Sequence, residues 1–158
     1  MAMADVPIEQ LTPRLWPRFA PHHYLSHTIH RAAVCFAAMQ DGKPVAFSAW
    51  VNRLASGGGR REHRTVVLPD WQGIGLGMKV SSAVASMWKG LGHKATSTTT
   101  HPAFIAARRR SKDWVMVRAP SLAANRSKYG HATTRLTAGF VYVGPAMDAG
   151  DAKRLLAA

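Results

Sequence analysis

The spacing of apolar and polar positions changes period along the chain, and each change predicts an element. A short apolar stretch at 6–11 reads as a strand that Pro7 confines to an edge or a strand start. Pro13, Pro17 and Pro21 then recur every four residues. Proline fits the first turn of a helix but not its interior, so 15–25 reads as one or two short helical turns. An apolar run at 31–39 ends in Asp41-Gly42, a hairpin signal. The return strand at 45–51 sets Val45, Phe47, Ala49 and Val51 against Ala46, Ser48 and Trp50. Ser56-Gly57-Gly58-Gly59 is a flexible turn, and a further strand covers 62–68. From Leu76 the period becomes helical: Leu76, Val80, Ala83, Val84, Met87 and Leu91 share one face, and Gly90 and Gly92 end it. The β-branched run 96–100 is a strand. Pro102 opens a helix bearing Phe104, Ile105, Arg108, Arg109 and Arg110. A strand at 114–117, a loop at 119–133 with Pro120 and Gly130, and a strand alternating Leu136, Ala138, Phe140 and Tyr142 complete the pattern. The tail after Gly144 carries no readable period. No repeat or linker divides the 158 residues, so the expectation is one domain over 1–158, long enough to bury a core.

The stretch from Thr65 to Met78 stands apart. A β-branched run stops at Pro69, and Gly73, Gly75 and Gly77 follow at every second position before the helix begins. Glycine permits positive φ and close approach of a ligand, and unpaired amides at a helix start attract anions. The physical reading is strand, phosphate-binding turn, helix. A dinucleotide-binding turn would need a third glycine where Met78 stands and an acid about 20 positions on, where 93–96 has none. A Walker A loop would need Gly-Lys-Ser/Thr at its end, which is missing.

The spacing Gln72-x-x-Gly75-x-Gly77 after Val66-Val67-Leu68-Pro69 resembles the acyl-CoA signature of the GNAT acetyltransferase superfamily. The order of elements around it resembles that family over about 5–143. The resemblance implies an α+β fold. Its mixed, largely antiparallel sheet has six to seven strands flanked by helices, splayed between the strand before the glycine turn and the strand after the following helix. It also implies acetyl-CoA as acyl donor. The pyrophosphate would lie on the amides of Gly73, Ile74, Gly75, Leu76, Gly77 and Met78. Gln72 would close the turn or touch the phosphate. The pantetheine would pair with the backbone of Thr65, Val66 and Val67, and an amide near Leu68 would stabilise the oxyanion.

Acetyl transfer needs a neutral amine, hence a base or a water relay. Glu62, ten residues before Gln72, matches the place of the family's glutamate base, although Arg60, Arg61, His63 and Arg64 beside it favour an ionised carboxylate in an ion pair. His22 and His23, in the segment that borders the acceptor in this family, and His101 are rival substrate-binding or basic groups. The family's tyrosine acid has no counterpart in the helix after the pantetheine strand; Ser111, Tyr129 or solvent would replace it. The arginines 108–110 would meet the CoA 3′-phosphate or the acceptor, or form a solvated face. Cys35 sits in an apolar run and reads as packing, so direct transfer in a ternary complex is expected. His22, His23, His27 and His30 lack a carboxylate or cysteine at ligand spacing, so no metal is expected.

Charge changes the picture on the acceptor side only. Lys plus Arg total 21 against 8 acids, a formal net charge of +13 spread through the folded part. Such an excess suits an anionic partner beyond one CoA. The expected acceptor is a primary amine, with a modified nucleic acid base as the polyanionic candidate. A small-molecule or protein amine is the alternative, and a non-catalytic acyl-CoA- or nucleic-acid-binding module is the alternative of another class. Trp16, Tyr24, Trp50 and Trp71 are candidate stacking surfaces or core residues. A single cysteine excludes an internal disulfide. No apolar run approaches the ~20 residues of a membrane helix, and no basic-then-apolar leader opens the sequence. The expectation is a cytoplasmic protein with no membrane partner, with a homodimer as a candidate assembly.

Overall fold

The structure is a computed structural model that describes residues 6–23, 27–54, 57–121 and 136–157. Its strands are β1 (Ile8–Leu11), β2 (Val34–Gln40), β3 (Lys43–Asn52), β4 (Arg60–Val67), β5 (Ala95–Thr99), β6 (Trp114–Ser121) and β7 (Thr137–Tyr142). They form one seven-stranded sheet in the order β1-β2-β3-β4-β5-β7-β6. All neighbours run antiparallel except β4 and β5. Those two pair in parallel only at Arg60↔Ala95 and Arg61↔Thr96, and then diverge. The expected α+β architecture and the splay are therefore present.

Helices α1 (Leu76–Gly90), α2 (Pro102–Arg110) and α3 (Ala149–Ala157) join the sheet. Phe36, Trp50, Val84, Met87, Trp88, Trp114 and Phe140 make the core between α1 and the sheet. The other face is covered over β2–β4 by two 3-10 turns, Pro13–Arg18 and Ala20–His22; Trp16 of the first, and Phe19 between the two, pack on Phe47 and Val66. These are the short turns that the four-residue proline spacing predicts. Trp16 and Trp50 are 4% and 0% exposed, so both are core residues and not stacking surfaces; Tyr24 lies outside the described residues.

Three differences from the sequence reading have physical causes. Strand β6 continues through Pro120, into the segment expected to be loop. It is the last strand of the sheet, and its register with β7 shifts twice, so a missing amide hydrogen bond is tolerated there. Second, α3 forms in a tail with no readable period. Asp148 Oδ1 accepts from the amides of Gly150 and Asp151 and caps it, and Ala152 is fully buried. Gly90 lets it approach, because a Cβ there would collide with the Met147 carbonyl. Third, β4 carries a bulge. Ala49 faces Arg64 and Trp50 faces Glu62, which leaves His63 unpaired in register. Alternation alone would put Glu62 and Thr65 on opposite faces; the bulge puts both on the helix side, where Thr65 Oγ1 donates to Glu62 Oε2 at 2.8 Å.

Among the described residues, no helix is long and apolar enough to cross a membrane.

Candidate active site

The turn after β4 does what its glycines suggest, by two different means. Gly73 and Gly75 both have φ of 81°, a conformation that side chains disfavour. Gly75 is the N-cap of α1. Gly77 lies inside the helix, where conformation does not require glycine; space does. A Cβ at Gly77 would stand 2.9 Å from Phe104 Cζ and 3.3 Å from Val67 Cγ2. The first turn of α1 is therefore pressed against both β4 and α2. Its amides at Leu76, Gly77 and Met78 precede the first helical bond, Lys79 N–H to Gly75 O at 3.2 Å, and supply fixed positive partial charge.

Gln72 closes the turn: its Nε2 donates to Val67 O at 2.9 Å. Leu68 N–H donates to Val45 O at 3.0 Å within the sheet. This corrects the expectation of an oxyanion donor at Leu68. Hydrogen-bonding direction alternates along an antiparallel strand, so Leu68 and Val66 bond toward β3 while the backbone of Thr65 and Val67 faces the splay. The amide that points into the gap at this level is that of Val67.

These groups meet in a cleft of about 630 Å3. Its walls include Thr65, Val66, Val67, Gln72, Gly73, Gly75, Leu76, Gly77 and Met78, together with His22, His23 and His101 from two other parts of the chain. Ile74 is the exception: its side chain is half-exposed and does not line the cleft. Trp71 does line it, as do Ala103, Phe104, Ala107 and Arg110 along one face of α2. His101 caps α2, its Nδ1 accepting from Ala103 N–H at 3.2 Å.

Glu62 does not lie open to solvent. Arg108 Nη2 and Ser97 Oγ each donate to its Oε1 at 2.8 Å, and Thr65 Oγ1 and Ser81 Oγ donate to its Oε2. Arg108 also donates to Ser97 Oγ at 2.8 Å and to Ser81 Oγ at 2.9 Å. The side chains of Arg108 and Glu62 are 0% and 8% exposed. Burial alone would push the Glu62 carboxyl up, but the Arg108 charge and the bonds from Ser81, Arg108 and Thr65 outweigh it and hold the carboxyl below its ordinary value. One ion pair thus ties β4, β5, α1 and α2 together. Arg108 was expected on a solvated face or against CoA; instead it is buried, with its guanidinium 4.5 Å from the Trp114 ring centroid. The sequence signal is that Arg108 follows Phe104 by one helical turn, on the face turned inward. Ser81 and Ser97 carried no signal of their own.

A second cavity of about 40 Å3, enough for a water or two, sits in the splay. His23, Glu62, His63, Thr65, Thr98, Thr99 and Phe104 line it. His23, Thr65 and Phe104 also line the larger cleft. His63 is pushed down to about 4 by burial first and by Arg64, Arg61, His30 and His23, so its ring is neutral. Its Nε2 accepts from His30 N–H at 2.9 Å.

Ser111 caps the C-terminal end of α2, with its Oγ accepting from Asp113 N–H at 3.1 Å. It does not line the cleft, which departs from the acid role expected of it. Tyr129 lies outside the described residues. Cys35 is buried and its thiol is pushed up to about 12 by desolvation, which suits packing.

No protein-family model and no curated protein sequence matches the chain. Solved structures do. A GNAT-family acetyltransferase structure from Desulfovibrio desulfuricans superimposes with TM-score 0.65 at 13% identity, over 87% of this chain and 99% of that one. The ribosomal-protein-S18-alanine N-acetyltransferase of Escherichia coli gives 0.62 at 15% identity, over 89% and 96%. The polyamine N-acetyltransferase of Drosophila melanogaster gives 0.60 at 12% identity, over 87% and 98%. With the parallel, splayed β4–β5 pair and the glycine turn at its mouth, this chain has the fold of the GNAT acyl-CoA N-acyltransferases.

Proposed function

We propose that the protein is an acetyl-CoA-dependent N-acetyltransferase. The observation that carries this is the cleft itself. The amides that open α1 and the outward backbone of Thr65 and Val67 converge on one cavity, and the α1 amides suit a pyrophosphate while the strand edge suits a chain of amides. Thr65 and Val67 would pair with the pantetheine, and Val67 N–H would face the thioester oxygen. Arg110, on the cleft wall, is suited to a further phosphate.

The reaction is direct. The amine nitrogen attacks the thioester carbonyl carbon and a C–N bond forms. The C–S bond breaks, the nitrogen gives up a proton, and the thiolate leaves and takes a proton from water. Glu62, held ionised, lowers the energy of positive charge on the attacking nitrogen, and water in the small cavity carries the proton away between Glu62 and His23. A carboxylate with four donors is a weak base, so an electrostatic and relay role fits it better than outright proton abstraction.

The acceptor amine is one carried by an anionic molecule, with a nucleic acid base as a candidate. Among the described residues the only acid lining the splay cavity is Glu62, and Arg108 neutralises it. A cationic acceptor such as a polyamine would meet a surface of its own sign on a chain of net charge +13.

Release of free thiol from acetyl-CoA with pooled primary amines tests the reading, alongside calorimetric CoA binding. Wild type should turn over, and Gly75→Leu, which cannot hold φ of 81° without strain, should lose CoA binding and turnover together. Bound CoA with no turnover on any amine would leave a binding module; no CoA binding would refute the reading.

A further inference from the structure

Phe104 stands where two cavities meet. It lines the donor cleft of about 630 Å3 and also the chamber of about 40 Å3 in the splay; among the described residues only His23 and Thr65 share that position. The ring is held from three sides. Phe104 Cζ and Val67 Cγ2 lie 2.9 and 3.3 Å from the point where a Cβ at Gly77 would stand. The ring therefore fills the space that Gly77 leaves, and it neighbours the strand residue whose amide would face the thioester oxygen. The His101 ring meets it edge-on at 5.6 Å between centroids. The Arg108 guanidinium lies 5.1 Å from its centroid, and Arg108 in turn holds Glu62. Phe104 is thus a neighbour both of Val67 and of the buried ion pair.

An acyl chain longer than acetyl would have to grow past this ring. Beyond Val67 the donor cleft continues into the chamber, next to the place where β4 and β5 close into a parallel pair at Arg61↔Thr96. A water's share of liquid volume is ~30 Å3, and a methyl group is of similar size. The chamber therefore has room for the methyl of an acetyl group and little else. Apart from Phe104 its walls are polar, with Glu62, His63, Thr65 and Thr98 among them. Each added CH2 would displace the relay water and set an apolar group against a buried carboxylate, which gains no hydrogen bond in return.

Thr98 gives such a limit a purpose. It lines the chamber and also a broad cavity of about 770 Å3, whose walls run from the end of β3 across β4 and β5 to β7 and β6. An amine arriving from that cavity would reach the thioester through the chamber, and a long acyl chain would fill it.

We propose that Phe104 sets the length of the acyl group: its ring, seated by Gly77, admits acetyl and excludes chains of four carbons or more. The size limit rests on the acetyltransferase reading and names the acyl group that the donor cleft accepts.

The test compares acetyl-CoA with butyryl-CoA on wild type, Phe104→Ala and Phe104→Leu, by thiol release with pooled primary amines and by calorimetric binding. One misfitting methylene is worth about 10–200-fold in kcat/KM. Wild type should therefore favour acetyl-CoA by at least about tenfold in kcat/KM, and should bind butyryl-CoA more weakly. Phe104→Ala opens the chamber, so the preference should fall by at least about fivefold, with a smaller fall in the same direction for Phe104→Leu. The preference is a ratio, so a general loss of activity does not imitate the effect. If melting curves show Phe104→Ala unfolded, Phe104→Leu carries the comparison. Equal use of both donors by wild type overturns the proposal, as does an unchanged preference in the folded variants. Thiol release with that unchanged preference leaves the acetyltransferase reading in place. Bound acyl-CoA with no thiol release refutes the enzyme reading instead, and the affinity ratio then judges Phe104 by the same comparison. Failure to bind either donor refutes both.

Discussion

Arg108→Met isolates the charge of Arg108 from its volume. Methionine keeps a long apolar stem among Phe104, Trp114 and Phe140, whose ring centroids lie 5.1, 4.5 and 5.8 Å from the guanidinium. What it removes is the counter-ion of a buried carboxylate. Breaking a buried pair from one side costs about 3–5 kcal/mol, because the remaining charge is left uncompensated. In a chain of this size a loss of 1 kcal/mol lowers the melting temperature by about 2–4 °C, so the variant should melt about 6–20 °C below wild type. The pH dependence should also change sign. In wild type the Glu62 carboxyl is held below its ordinary value, so its contribution is present above that value and is lost as pH falls through the folded one. Without Arg108, burial dominates and raises the carboxyl above its unfolded value. The contribution is then present at low pH and is lost as pH rises. Differential scanning calorimetry across mildly acidic to neutral pH reads both effects. Glu62→Gln/Arg108→Met, with neither charge, should recover much of the loss and flatten the difference. A melting temperature for Arg108→Met equal to wild type at neutral pH, or a loss that deepens on acidification, would refute the buried-pair account.

Other expectations follow from single contacts. Gly77→Ala places a methyl group against Phe104 and Val67 and should cost about 1–3 kcal/mol, with weaker CoA binding by calorimetry because α1 shifts at the cleft. The Cys35 thiol, buried and held near 12, should resist iodoacetamide in the native protein at neutral pH and react once urea unfolds it; native labelling at a free-thiol rate would contradict this. His63 titrates near 4 when folded against an ordinary 6.5, so the unfolded chain takes up the proton first. Stability should therefore fall as pH drops from 6.5 toward 4, and His63→Asn should reduce that fall in parallel pH-dependent melts.

The geometry of the glycine turn was legible because it is local. Positive φ at Gly73 and Gly75, the amides of Leu76 to Met78 and the edge of Thr65–Val67 all lie within one continuous stretch. Glu62 shows where such legibility stops. Its ten-residue distance from Gln72 was readable, but the face it occupies depends on the bulge at His63, which exists only through pairing with β3. Its partner Arg108 lies 46 residues away, and its other donors come from α1 and β5. The helix α3 was hidden for a related reason. Nine residues are too few to hold a helix alone, and α3 forms where α1 offers a surface to dock on.

The three cavities bear on the order of events in turnover. Among the described residues the two broad cavities share no lining residue, while the small chamber between β4 and β5 shares Thr98 with one and His23, Thr65 and Phe104 with the other. Two ligands that enter by separate doors need not wait for each other. Under the proposed reaction, initial-rate plots for donor and acceptor should intersect and not run parallel, and each product should inhibit competitively only against the substrate that shares its door. The acetylated product could also leave while CoA remains bound, so a long polymeric acceptor could be released or repositioned without emptying the donor cleft.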